Sequence, residues 1–143
     1  IGVCNFTKEA LEELYTETGV RPVINQVETH PYFPQTELRA YEAEHGIVHE
    51  SWSPLGHGGE LLSDPVLADI AKKHGASAAQ VVIAWHLAVG NVVIPKSTTE
   101  SRIVENFESL NVKLDEEDLA AIATLDRGAE GRISADPATA DFE

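Results

Sequence analysis

The chain has 143 residues, 43% of them hydrophobic, with 24 Asp and Glu against 10 Lys and Arg, for a net charge of −14. That length suits one domain with an ordinary core, and the acidic balance argues against a nucleic-acid partner, whose backbone repels an acidic surface. No apolar run approaches the roughly 20 residues of a membrane helix, and the lone cysteine, Cys4, excludes an internal disulfide framework and fits a reducing, cytoplasmic setting.

In chain order, Ile1-Gly2-Val3 reads as the end of a strand. It carries no secretory signal, and the absence of methionine is expected of a chain that does not start where its gene starts. Thr7 caps a helix from about Lys8 to Thr18, which Gly19 stops. Pro22–Val27 reads as the next strand, and Pro31 and Pro34 punctuate a loop carrying Tyr32 and Phe33. A helix follows from Thr36 to about His45, ended by Gly46. Ile47–Trp52 is a third strand, and Gly56-His57-Gly58-Gly59 is expected to be a flexible loop.

Asp64 and Pro65 start a helix that Gly75 stops. Ser77-Ala78-Ala79-Gln80 has a capping-box pattern and opens a helix through about Val89, in which Trp85 reads as core. Val92–Ile94 is a short fourth strand, stopped by Pro95. Asp115 starts a last helix with Leu119, Ile122, Ala123 and Leu125 facing inward. Its acidic run Asp115-Glu116-Glu117-Asp118 is expected to be a solvated first turn. From Asp126 the chain has no period and reads as a tail lying over something else.

Strand and helix thus alternate four times, which implies a parallel sheet with right-handed crossovers. Cys4-Asn5, Gln26, Trp52-Ser53 and Lys96-Ser97 each fall at the C-terminal end of a strand, the functional face of a β/α barrel. Four βα units are half of an eightfold barrel. After the fourth strand, Lys96, Ser97 and Arg102 surround a helix start. Two cations, a hydroxyl donor and free N–H groups at the positive end of a helix make a phosphate site. Glu105 and Asn106, one turn on, could read the edge of a base. The other reading is a strand-to-helix connection with solvated charges.

Several segments also resemble, in register from residue 1 to about residue 137, the aldo-keto reductase family. Ile94-Pro95-Lys96-Ser97 followed by Arg102-Ile103-Val104-Glu105-Asn106 resembles its NADP-binding signature. Gly2-Val3-Cys4-Asn5-Phe6 is similar to its Gly-Val-Ser-Asn-Phe, with Cys4 in place of serine. Asn25-Gln26-Val27-Glu28 with His30-Pro31-Tyr32 and the loop Ser53-Pro54-Leu55-Gly56 have counterparts as well. The resemblance implies the second half, strands five to eight, of a (β/α)8 TIM barrel over residues 1–125, with residues 126–143 as a C-terminal tail. It implies that NADPH is the cofactor, that Asn5 and Gln26 bond its carboxamide, and that Trp52 stacks on the nicotinamide. It leaves the contact at Cys4 in question, since a thiol is a weaker donor than a hydroxyl.

The implied activity is NADPH-dependent reduction of an aldehyde or ketone, a small carbonyl substrate, to an alcohol. The ending Gly131-Arg132-Ile133-Ser134-Ala135-Asp136-Pro137 is similar to that of bacterial reductases acting on diketo-gluconates and small dicarbonyls. The family's acid tyrosine, lysine, aspartate and histidine come from its first half, and no motif here matches them. No catalytic residue is therefore assigned. The six histidines lack metal-ligand spacing, so no metal is expected. The alternative is a non-catalytic, NADP-binding regulatory or structural half barrel. A complete barrel would be a monomer, and an isolated half would pair through its edges or aggregate.

Overall fold

Alternation along the strands decides the architecture, because successive side chains leave a strand on opposite faces. The computed structural model describes residues 1–140. Its strands β1 (Gly2–Cys4), β2 (Ile24–Glu28), β3 (Val48–Trp52) and β4 (Val92–Val93) form one parallel sheet in the order β1-β2-β3-β4. Cys4 lies opposite Gln26, Gln26 opposite Glu50, and Glu50 opposite Val92. These four residues therefore make one row on one face. Asn25, Val27, His49 and Ser51 point the other way and are buried. The first face stays open, with Val48 44%, Val92 41% and Ile94 44% exposed.

Helices α1 (Lys8–Thr18) and α2 (Thr36–Glu44) follow β1 and β2. Leu11, Leu38 and Tyr41 from these helices close over Val27 and Ile47. After β3 come α3 (Pro65–His74) and α4 (Ala78–Ala88), and after β4 come α5 (Glu100–Glu108) and α6 (Glu116–Ala123). Leu67, Ile70, Val81, Val82, Trp85 and Ile122 form the second cluster. Leu67, Val81 and Val82 are fully buried, each such side chain stabilising the fold by about 1.5–3 kcal/mol. Trp85 is core, as its helical context indicated.

The caps agree with the residues. Thr7 Oγ1 accepts from Ala10 N at 3.2 Å, Asp64 Oδ1 from Val66 N at 2.9 Å, and Ser77 with Gln80 closes a full capping box. The acidic run is more than a solvated turn. Asp115 and Asp118 form a second capping box, and Asp118 is buried between Lys73 Nζ at 2.8 Å and His74 Nε2 at 2.7 Å. Burial would raise the Asp118 carboxyl, but the hydrogen bonds from Lys73, His74 and the Asp115 N–H outweigh it and bring it to about 2. This contact ties α3 to α6.

Four expectations need correction. The stretch Gly56–Gly59 is not a plain loop: it holds a 3-10 turn, Gly56–Gly58, and a second, Glu60–Ser63, follows it and carries Leu61, 2% exposed, into the core. The second strand starts at Ile24 and runs on to Glu28, so Gln26 sits inside it and not at its end. The fourth strand stops at Val93. Ala123 faces solvent, because Ile122 and Leu125 already fill the inward side of α6. Among the described residues no helix is long and apolar enough to cross a membrane.

Candidate functional site

The residues singled out in the sequence divide into two neighbouring groups. Ser53, Pro54, Leu55, Ile94, Lys96, Ser97, Arg102, Glu105 and Asn106 line one cavity of about 890 Å³ at the C-terminal end of β3 and β4. Cys4, Asn5, Gln26 and Trp52 lie outside that cavity, along the C-terminal half of the open sheet face, and Gly56 makes the turn behind Leu55 at φ 60°. Trp52 and Ser53, adjacent in the chain, join the two groups.

The cavity is electrically simple. Lys96 and Arg102 are exposed, and among the described residues neither forms a salt bridge. Thr99 precedes α5 in an extended conformation without a side-chain cap, so the first N–H groups of α5 lack a side-chain acceptor. Such groups and two cations make a fit for an anion. Ser97 is less free than its position in the sequence suggests. Its hydroxyl donates to Thr99 O at 3.3 Å and accepts from Thr99 N at 3.2 Å, which shapes the turn. The Glu105 carboxylate accepts from the Ser77 hydroxyl, and Glu105 O accepts from Gln80 Nε2 at 3.0 Å. Glu105 therefore fastens α5 to the start of α4 and is engaged there rather than free toward the cavity. Ser77, Ala78 and Ala79 join the lining in consequence. Sequence reading missed them because only the α4–α5 contact brings them there.

The open-face group is held by its own bonds. Trp52 Nε1 donates to Asn5 Oδ1 at 2.9 Å, which leaves the two hydrogens of Asn5 Nδ2 for a ligand. Asn5 itself has φ 57°, a left-handed conformation. Gln26 is bridged between Glu50, to which its Nε2 donates, and the exposed Cys4, whose Sγ lies 3.9 Å from Gln26 Oε1. Glu50 was not singled out in the sequence. Its parity with Trp52 along one strand was the signal that could have found it.

His86 supports the loop between the two groups. Burial pushes it down to about 3, so the ring is neutral. One nitrogen then donates and the other accepts. Nε2, 3.1 Å from the Pro54 carbonyl, is the donor, and Nδ1 accepts from Asn91 Nδ2 at 3.3 Å. This fixes Pro54 and hence the chain from Ser53 to Leu55. Ser53 has φ 49°, and its hydroxyl lies 2.7 Å from His57 Nε2. Among the described residues no cluster of His, Cys, Asp and Glu is arranged to hold a metal ion.

The tail does lie over something: the segment after β2. Arg127 N donates to Tyr32 O at 3.0 Å, and the Arg127 guanidinium lies 3.6 Å from the Tyr32 ring. Gly131 passes so close to Tyr32 that a Cβ would meet its carbonyl oxygen at 1.8 Å. Glu28, 1% exposed, accepts from Ile133 N at 2.7 Å, Ser134 N at 3.2 Å and His30 Nε2 at 3.0 Å. Burial works to raise the Glu28 carboxyl, but these bonds outweigh it and hold it below its ordinary 4.5. Residues 141–143 of the expected tail lie outside the described residues.

Glu28→Ala is expected to leave two tail N–H groups without an acceptor, at about 1–3 kcal/mol each. Trypsin should then cut after Arg127 and Arg132 far faster, and an unchanged cutting rate would count against the clamp. Because the folded pKa is depressed, the clamp contributes fully above pH 4.5 and weakens as pH falls through the lower folded value.

Three comparisons with known proteins bear on this geometry. The family model described as "Aldo/keto reductase family" matches residues 1–127. An aldo-keto reductase of Mycolicibacterium smegmatis (strain ATCC 700084 / mc(2)155) is 49% identical over 142 residues, covering 99% of this chain and 50% of that protein. The methylglyoxal reductase DkgA of Escherichia coli (strain K12) is 52% identical over 138 residues, covering 96% and 50%. The crystal structure of a Gox0644 mutant in complex with NADPH superposes with a TM-score of 0.94 at 49% identity, over 99% of this chain and 52% of that one. The chain thus spans about half the length of the relatives it matches. It belongs to the aldo/keto reductase family.

Proposed function

We propose that the chain is the cofactor-binding half of an NADPH-dependent reductase that converts an aldehyde or ketone to an alcohol. In this reading residues 1–125 are the second half of a (β/α)8 barrel, and the tail from residue 126 closes over one rim. The observation that carries it is the 890 Å³ cavity with Lys96, Arg102 and the uncapped start of α5 at one end and Ser53–Leu55 at the other. Support comes from relatives whose names describe reduction of methylglyoxal, a small carbonyl compound, and from the NADPH complex of Gox0644.

NADPH supplies a hydride when bound. Lys96 and Arg102 would hold the 2′-phosphate, with the α5 N–H groups beside them. Ser53–Leu55, kept in place by His86, would carry the diphosphate bridge toward the open sheet face. There the Trp52 indole would stack on the nicotinamide and fix which side faces the substrate, and Asn5 Nδ2 would donate to the carboxamide oxygen. Gln26, tied to Cys4 and Glu50, would meet the same group from β2. Asn106 would line the adenine side, with Glu105 holding α5 against the start of α4 beside it. The protein would act in the cytoplasm on a small carbonyl substrate, as a monomeric complete barrel with neither nucleic acid nor membrane as partner.

The chain's own tyrosines favour a second element of this reading: by itself the chain binds cofactor without turning over. Tyr32 OH donates to Asp64 Oδ2 at 2.7 Å, and burial pushes it up to about 12. Tyr41 OH is engaged with Glu12 and Arg21, and the Arg21 guanidinium covers the Tyr15 ring at 3.9 Å. None borders the cavity. Alone, the chain would be an NADP-binding module.

The test is tryptophan fluorescence. Addition of NADPH to a complete barrel carrying this chain is expected to quench emission, and Trp52→Ala is expected to remove most of the quench. A full quench surviving in that variant would move the nicotinamide away from Trp52 and toward Trp85 or another site.

A further inference from the structure

A chain of buried polar side chains runs behind the sheet and ends on the backbone next to Asn5. Thr29 Oγ1 lies 2.7 Å from His49 Nε2, and His49 Nδ1 meets Glu42 Oε2. Glu42 Oε1 accepts from Asn25 Nδ2 at 2.7 Å. Asn25 Nδ2 also donates to Phe6 O at 2.9 Å, and Asn25 Oδ1 accepts from Phe6 N at 3.3 Å. Thr29, Glu42 and Asn25 are 0% exposed and His49 is 5%. None of the four borders the cavity or lies on the open face. We propose that Glu42, acting through Asn25, is a positioning residue that aims the Asn5 amide at the nicotinamide end of the cofactor.

Asn5 is in a left-handed conformation, which asparagine adopts more readily than most residues with a Cβ, and its side chain is aimed by the way the following residue is held. The next residue, Phe6, has both backbone groups bonded to the one side-chain amide of Asn25. That amide can sit in two orientations. Turned over, it would present Nδ2 to the Phe6 N–H and Oδ1 to the Glu42 carboxylate, donor against donor and acceptor against acceptor. Glu42 Oε1 accepts from Asn25 Nδ2 in the observed orientation, so this contact favours the one that grips Phe6. His49 and Thr29 in turn hold the carboxylate on its other side. Removing Glu42 alone would leave its buried partners Asn25 and His49 short of an acceptor and lower stability. Its further contribution is geometric: it fixes one conformation of the β1–α1 connection. Trp52 Nε1 then secures Asn5 Oδ1 from the front, so that only the Asn5 N–H pair remains to be aimed.

This inference rests on the cofactor site described above, and the experiment separates the two. In a complete barrel carrying this chain, binding of 2′,5′-ADP and of NADPH is measured for the parent, Glu42→Leu and the isosteric Glu42→Gln. Exchange of the Phe6 amide is followed in the same proteins. 2′,5′-ADP reaches only the Lys96–Arg102 end. Glu42→Leu is expected to bind it as the parent does, to lose about tenfold in NADPH affinity, the equivalent of one hydrogen bond, and to exchange Phe6 faster. Glu42→Gln, which keeps one acceptor, should recover part of both effects. Equal losses for the two ligands, unchanged NADPH affinity, or unchanged Phe6 exchange would each overturn the positioning role. Failure of the parent to bind 2′,5′-ADP would instead overturn the phosphate-site reading, and Phe6 exchange would still decide whether Glu42 holds the connection.

Discussion

In a complete barrel carrying this chain, Arg102→Ala is expected to weaken NADPH binding about ten- to a hundredfold and leave NADH nearly unchanged. A hydrogen bond to a charged group contributes about 1.5–3 kcal/mol, and each 1.4 kcal/mol is about tenfold in affinity. Selectivity follows because NADH lacks the 2′-phosphate that Arg102 would hold. Neither Arg102 nor Lys96 has an acidic partner among the described residues, so removing Arg102 leaves no buried charge behind to confuse the result. Lys96→Ala should act the same way but less strongly, since an ammonium lacks the two-pronged fit of a guanidinium to phosphate. Paired titrations with NADPH and NADH decide it. Equal losses for both cofactors would remove the phosphate from Arg102 and leave these cations as a solvated connection.

The 143 residues expressed alone are expected to self-associate and to reduce no carbonyl compound. The sheet has two unpaired edges, at β1 and β4, and parallel strand edges seek partners. Its open face leaves Val48, Val92 and Ile94 in water, and on and after α5 Ile103, Val104, Phe107 and Leu110 are 52%, 52%, 74% and 48% exposed. Four such residues on and just beyond one helix form an apolar stripe of the kind that marks a contact surface. Relatives about twice as long supply a ready account of what covers it. Light scattering should therefore report dimers or larger species, and NADPH oxidation with a reactive aldehyde should run at the buffer rate. A well-folded monomer would show that the helices alone stabilise the sheet. Turnover above the buffer rate would mean that a proton donor lies within this chain.

Much of the local structure was legible from the residues themselves. Thr7, Asp64, Ser77 and Asp115 announce helix starts because a side-chain oxygen next to free N–H groups acts over one turn of chain. Gly19 and Gly75 end helices for an equally local reason, their φ of 68° and 61°. Parallel order followed from the regular alternation of strands and helices. Lys96 and Arg102 could be paired in advance because a single turn separates them. What depends on distant residues meeting was not legible. Only the folded chain brings Ser77 to Glu105, seats Pro54 on His86, or closes the tail on Glu28 across more than one hundred residues. Buried polar groups such as Glu42 and His49 are read as ordinary surface residues in a sequence, because nothing local records that their partners will come from another element. Burial makes those partners obligatory, and the tertiary structure alone decides which they are.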